Sequence, residues 1–168
     1  PMKTLVIGGT GPTGPFVVKG LLEQGHDVAI LNRGSHESPD LPNSVERIIA
    51  DPHFEETLTV ALSGRSFDQI IASYGRLRII AGLVGEHTDR LISVGGSPGY
   101  RGIQNPEAVF PQGPQVPLPE IAPQIESEKE FRFGFLVKQA EDAVMEGHAA
   151  GNYVATHLRY PLVYGPRQ

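Results

Sequence analysis

The chain has 168 residues, 39% of them hydrophobic and 20% charged, with a formal net charge of −5 and no cysteine. That describes one globular domain with a sizeable core, and the acidity argues against general nucleic-acid affinity, which needs cationic surface against phosphate. Without cysteine there is no disulfide, thiolate nucleophile or zinc–thiolate site, which fits a reducing cytoplasm, and no apolar run approaches the roughly 18 residues of a membrane-spanning helix.

Residues 3–8, KTLVIG, read as a short apolar strand. The N-terminus has no signal-peptide pattern, and Pro1 is given no role. The glycine-rich GGTGPTG of 8–14 follows. A helix is expected over 13–24, with Phe16, Val17, Leu21 and Leu22 near helical spacing and Pro15 suited to its first turn. A second strand covers 27–31, DVAIL, which completes a βαβ unit. The alternation continues through strands at 45–50, 67–72, 90–95 and 153–158 and helices at about 54–63, 76–86 and 128–149. Six apolar strands alternating with helices predict an α/β fold, a Rossmann-like doubly wound parallel sheet in three layers, within one domain spanning 1–168. Residues 97–127 break the rhythm, with prolines at 98, 106, 111, 114, 117, 119 and 123. A loop of that length is either a substrate-side binding loop or a passive connection.

Glycines at 8, 11 and 14, between a strand and a helix, permit a tight turn, close approach of a pyrophosphate and close helix–strand packing. The helix N-terminus then aims free N–H groups and its dipole at an anion, and Thr10 and Thr13 add hydroxyls. The alternative is a purely structural turn. No Lys-Ser/Thr pair follows, which argues against a triphosphate-binding loop. Strand two ends in Asn32-Arg33, where an NAD site usually places an acid for the ribose 2′-OH. Arg pairs bidentately with phosphate, so NADP is favoured over NAD, the alternative being a solvent-facing side chain. The six histidines, at 26, 36, 53, 87, 148 and 157, show no paired ligand spacing, so no metal is assigned. His157, inside a predicted strand, reads as structural.

GGTGPTG (8–14), LNRG (31–34), Asp51, IASYG (71–75), ISVGGS (92–97) and RYPLVYGPRQ (159–168) together resemble the short-chain dehydrogenase/reductase superfamily, in its extended or atypical NAD-dependent epimerase/dehydratase branch. The resemblance implies cofactor contacts from Gly8, Thr10, Gly11, Pro12, Thr13, Gly14, Asn32, Arg33, Asp51, Ala72, Ser73, Pro161, Leu162 and Val163. It implies a small-molecule carbonyl or hydroxyl substrate and a homodimer through the helix of 128–149. The branch carries a C-terminal substrate domain after the Y-G-P segment; that domain is expected to be absent from this chain, which stops at Gln168.

Against the family's Y-G-x-x-K-x-x-A-E, Phe133 takes the Tyr position and Val137 the Lys position. Lys138 stands one residue away, either reaching the ribose or simply solvated. Ser97 is the better candidate for the family's Ser/Thr and Ser93 the poorer. Tyr74 and Tyr100, in loops on the expected ligand side, are candidate proton donors. Two readings follow: an NADP(H)-dependent oxidoreductase or epimerase/dehydratase with an atypical proton donor, or a catalytically silent NAD(P)-binding sensor or scaffold. RNA binding ranks third.

Overall fold

The computed structural model describes residues 1–8, 11–35, 40–73 and 76–165. Thr10 and Tyr74 lie outside the described residues, as do the last three residues of the RYPLVYGPRQ segment.

Six parallel strands form one sheet in the order β3-β2-β1-β4-β5-β6. They are β1 (Lys3–Ile7), β2 (Asp27–Asn32), β3 (Glu46–Ile49), β4 (Gln69–Ser73), β5 (Arg90–Gly96) and β6 (Val154–Tyr160). The helices are α1 (Gly14–Glu23), α2 (Glu55–Leu62), α3 (Leu77–Leu83) and α4 (Arg132–Ala149). The strand order reverses between β1 and β4, the topological switch point at which open α/β sheets bind ligands.

The central strands read as apolar runs because both of their faces are covered. Leu5 and Ile7 of β1 join one core cluster with Leu58 of α2, Ile80 of α3 and Val144 of α4. Val6 points to the other face and meets Val18 of α1 together with Val28 and Ile30. The three layers are therefore unequal: among the described residues, α1 alone supplies the helix of the second core. By strand alternation Val154 and Leu158 of β6 also lie on that side, and both are exposed.

Two expected helices are shorter than their patterns. The one expected over 76–86 divides into α3 and a 3-10 turn, Val84–Glu86, where Gly85 lies so close to Asn152 that a Cβ would sit 3.1 Å from its carbonyl oxygen. The one expected from 128 starts at Arg132, because the preceding turn serves Arg101. Glu130 donates its backbone N–H to the Ser127 carbonyl, and its carboxylate takes Arg101 and the Glu126 N–H. Residues 97–127 contain 3-10 turns at Ser97–Gly99 and Pro106–Ala108. Their two ends are fastened side by side: Tyr100 bridges Gln124, Arg101 N–H donates to Pro123 (2.9 Å), and Ile125 N–H donates to Gly99 (2.8 Å). The excursion leaves and re-enters the domain beside α4, where Gly134 has no room for a side chain against the Pro98 carbonyl.

Candidate functional site at the switch point

Gly8 ends β1 with φ +90°, a conformation that disfavours any residue with a Cβ. A Cβ there would also lie 2.9 Å from the Ser73 carbonyl oxygen and 3.2 Å from its hydroxyl. The carboxyl ends of β1 and β4 thus meet backbone to backbone. The chain then turns tightly, with Gly11 N–H donating to Gly8 and Gly14 N–H to Gly11, both at 3.2 Å. Thr13 is the N-cap of α1 but makes no side-chain capping bond, and the first turn holds no acid. Pro15 brings no N–H into that turn. The first turn of α1 therefore carries no carboxylate of its own against the positive helix end. Gly11, Pro12 and Thr13 are half-buried around this turn. Ser73 is half-buried as well, whereas the Ala72 side chain is fully buried in the core under the sheet.

At the end of β2, Asn32 Oδ1 accepts the Gly34 N–H at 2.8 Å, an Asx turn that shapes the Arg33-Gly34 corner. The carboxamide N–H₂ and the second lone pair of Oδ1 have no partner in that turn. Arg33 is exposed and, among the described residues, has no ion-pair partner within 4 Å. Asp51 follows β3. Its carboxylate is held below the usual range by the His53 backbone N–H (3.0 Å), with further help from the His53 ring and the nearby Arg33 charge. Gly8, Gly11, Thr13, Gly14, Asn32, Arg33, Asp51 and Ser73 all belong to the carboxyl edge of β1–β4. Pro161, Leu162 and Val163 follow β6 on the same side of the sheet, with Leu162 88% exposed.

The expected proton-transfer residues have other partners. Phe133, 59% exposed in the first turn of α4, packs edge-on against Phe131 with ring centroids 6.2 Å apart. Lys138 Nζ is ion-paired with Asp142 at 2.6 Å, one helical turn along α4. Tyr100 is buried; its hydroxyl donates to the Glu120 carbonyl and accepts from Arg159 Nη1. Ser97 is half-buried at the end of β5, and no bond to its hydroxyl is found among the described residues.

Sequence reasoning did not foresee the charge network beneath this loop. Glu141 is buried and receives Arg159 bidentately, at 2.8 Å from Nε and 2.5 Å from Nη2. Burial alone would raise the Glu141 pKa, but the Arg159 hydrogen bonds and the adjacent His157 outweigh it and hold the carboxyl at about 2. The same pairing raises the Arg159 pKa. The Arg159 guanidinium lies over the Tyr100 ring, 4.9 Å from its centroid. His157 is buried in β6, where Nδ1 meets the Ser93 hydroxyl at 2.7 Å and Nε2 lies 3.4 Å from Glu141. Gly95 leaves the space that this ring occupies. The available signal was a strand carrying both His and Arg opposite a helix carrying Glu, which makes sense only if the charges are paired inside.

No protein-family model matches the sequence, and no curated protein is significantly similar to it. Solved structures do match. The chain superposes on UDP-galactose 4-epimerase with a TM-score of 0.79 at 17% identity, over 99% of this chain and 58% of that one. It superposes on the Bordetella bronchiseptica enzyme WbmG, crystallised with NAD and UDP, with a TM-score of 0.76 at 18% identity, over 99% of this chain and 55% of that one. For vestitone reductase from alfalfa the TM-score is 0.66 at 19% identity, over 95% of this chain and 56% of that one. The chain has the fold of these enzymes over the part it matches. It spans a little over half of their length.

Proposed function

We propose that this chain is the cofactor-binding part of an NADP(H)-dependent oxidoreductase or epimerase/dehydratase, of the extended or atypical short-chain dehydrogenase/reductase kind. Its substrate is a small molecule carrying a carbonyl or hydroxyl group, handled in the cytoplasm. The observation that carries this reading is the carboxyl edge of the sheet at the switch point. Gly8 leaves no room there for a Cβ against Ser73, α1 starts without a side-chain cap, and Asn32 and Arg33 lie at the end of β2 on the same edge. The residues present fit a dinucleotide. The glycine turn and α1 would hold the pyrophosphate, Asp51 the adenine side, and Pro161, Leu162 and Val163 the nicotinamide side.

NADP is preferred to NAD because β2 ends without the acid that usually accepts the ribose 2′-OH, and Arg33, which follows, carries a guanidinium that pairs bidentately with phosphate. A bound nicotinamide would supply the hydride chemistry; the chain's own residues bind it, orient it and hold a proton. Ser97 is the catalytic candidate whose hydroxyl is uncommitted among the described residues, and Tyr74 completes the candidate donors. Lys138 and Tyr100 would enter only by releasing Asp142 and Arg159.

Calorimetric titration with NADPH and NADH tests the reading. NADPH should bind at least about tenfold more tightly, and Arg33→Ala should remove that preference while leaving NADH unchanged. Folded protein that binds neither cofactor overturns it. A second reading, a catalytically silent NADP(H) sensor or scaffold, is favoured by Phe133 and Val137 standing where the family's proton relay would be. Tight NADPH binding with no turnover of any carbonyl in a broad panel would select it. The same proposal includes a homodimer through α4, whose Phe133, Leu136 and Met145 are 59%, 44% and 41% exposed. Sedimentation velocity measures that directly.

A further inference from the structure

The loop of 97–127 holds an open cavity of about 660 Å³, with Val109, Phe110, Leu118 and Ile121 among its lining and Arg101, Gln112 and Gln115 as its polar side chains. That volume is in the range of small-molecule sites, which are mostly apolar with a few hydrogen-bonding groups. Phe110 and Ile121 are 99% and 93% exposed, a large unpartnered apolar surface for one loop.

Charge decides what kind of molecule fits. Residues 97–165 carry five lysines and arginines against eight aspartates and glutamates, a balance of −3. Four of those five cations are already paired. Arg101, at the cavity, is bidentate with Glu130 at 2.8 and 2.9 Å. Arg132 is 3.5 Å from Glu128, Lys138 is 2.6 Å from Asp142, and Arg159 is 2.5 Å from Glu141. Lys129 remains, exposed. A nucleotide diphosphate needs uncommitted cations or converging N–H donors, and among the described residues of 97–165 four of the five cations, Arg101 at the cavity included, are paired with the chain's own carboxylates.

We propose that the cavity binds the uncharged, apolar part of a small molecule, such as an aryl or branched alkyl carbonyl compound, and not a nucleotide sugar. As a substrate site it rests on the function proposed above; as a ligand site it stands alone. The glutamine carboxamides supply hydrogen bonds to a neutral oxygen, and Phe110 and Ile121 gain the cover they lack.

Saturation-transfer NMR on the 168-residue chain tests this with two probes, 4-phenyl-2-butanone and uridine diphosphate, alongside a separate NADPH titration. The ketone should show transfer, reduced about fivefold or more by Ile121→Ser, while uridine diphosphate, measured with the glycine turn filled by saturating NADPH, binds at least about tenfold more weakly than the ketone. No transfer to the ketone, transfer that Ile121→Ser leaves unchanged, or tighter binding of the diphosphate would each overturn the proposal. So would self-association that Ile121→Ser abolishes while the ketone fails to bind, since a second copy would then be the occupant. Ile121 lies in an exposed loop, so the variant keeps the core intact, and its folding is checked by its melting curve. Ketone binding without NADPH binding keeps the cavity and overturns the proposed function; NADPH binding without ketone binding does the reverse.

Discussion

The two halves of the sheet's carboxyl edge handle charge in opposite ways. Around β1–β4 the chain withholds side chains and leaves positive potential unspent: a glycine turn, an uncapped α1 and an exposed Arg33 with no ion-pair partner among the described residues. Around β6 and α4, Arg101, Arg132, Lys138 and Arg159 are each matched to a carboxylate, and large apolar side chains face outward instead. The difference teaches that an arginine is informative only once its partners are known. Arg33 and Arg159 look alike in the sequence, yet Arg33 is exposed with no ion pair among the described residues and Arg159 is held by Glu141.

The largest test of that contrast is Arg159→Leu. Removing one member of a buried ion pair leaves the other charge uncompensated, at a cost of about 3–5 kcal/mol. For a domain of this size the melting temperature should fall by roughly 10 °C. NADPH affinity of the protein that remains folded should change by less than about twofold. An unchanged melting curve would show that the pairing is not structural; a selective loss of cofactor binding would place Arg159 with the ligand-binding cations.

Acid sharpens the same comparison. Glu141 is held at about 2 in the folded chain, against an ordinary value of 4.5. Because the folded value is the lower one, its contribution is complete above pH ~4.5 and is lost as pH falls towards 2, up to about 3 kcal/mol. Denaturant titrations between pH 2 and 5 should show this loss in the native chain. It should be much smaller in Arg159→Leu, whose Glu141 no longer has the guanidinium. Equal acid sensitivity in both would break the assignment to Glu141.

The smallest effect belongs to the other half. Asn32→Asp keeps the bond to the Gly34 N–H, adds a second acceptor and places a negative charge beside Arg33. NADPH affinity should fall about tenfold and NADH affinity rise a few-fold, both read by calorimetry. A variant that binds NADPH as well as the parent would mean that the 2′-phosphate does not lie at this corner.

Much of the fold was legible because it rests on short-range signals. Apolar runs such as Leu5-Val6-Ile7 are strands because both faces of a central parallel strand are covered, and the glycines of 8–14 mark a turn whose first residue, Gly8, has no room for a Cβ. Every expected strand and helix is present, with shifted ends where a distant contact intervenes, as Glu130 turning back to Arg101 delays α4. The place of the candidate residues on the sheet was equally legible, since they follow the carboxyl ends of the strands around the point where their order reverses.

The alternation of strands and helices, the glycine-rich turn and the pair Asn32-Arg33 could be read from the chain alone, because each is set by residues adjacent in it. Only the tertiary structure decided which charges are free. Glu141 meets Arg159, Lys138 turns to Asp142 and Arg101 is taken by Glu130. Two of those three pairings join residues far apart in sequence, and buried charge compels such partners to be found wherever the fold brings them together.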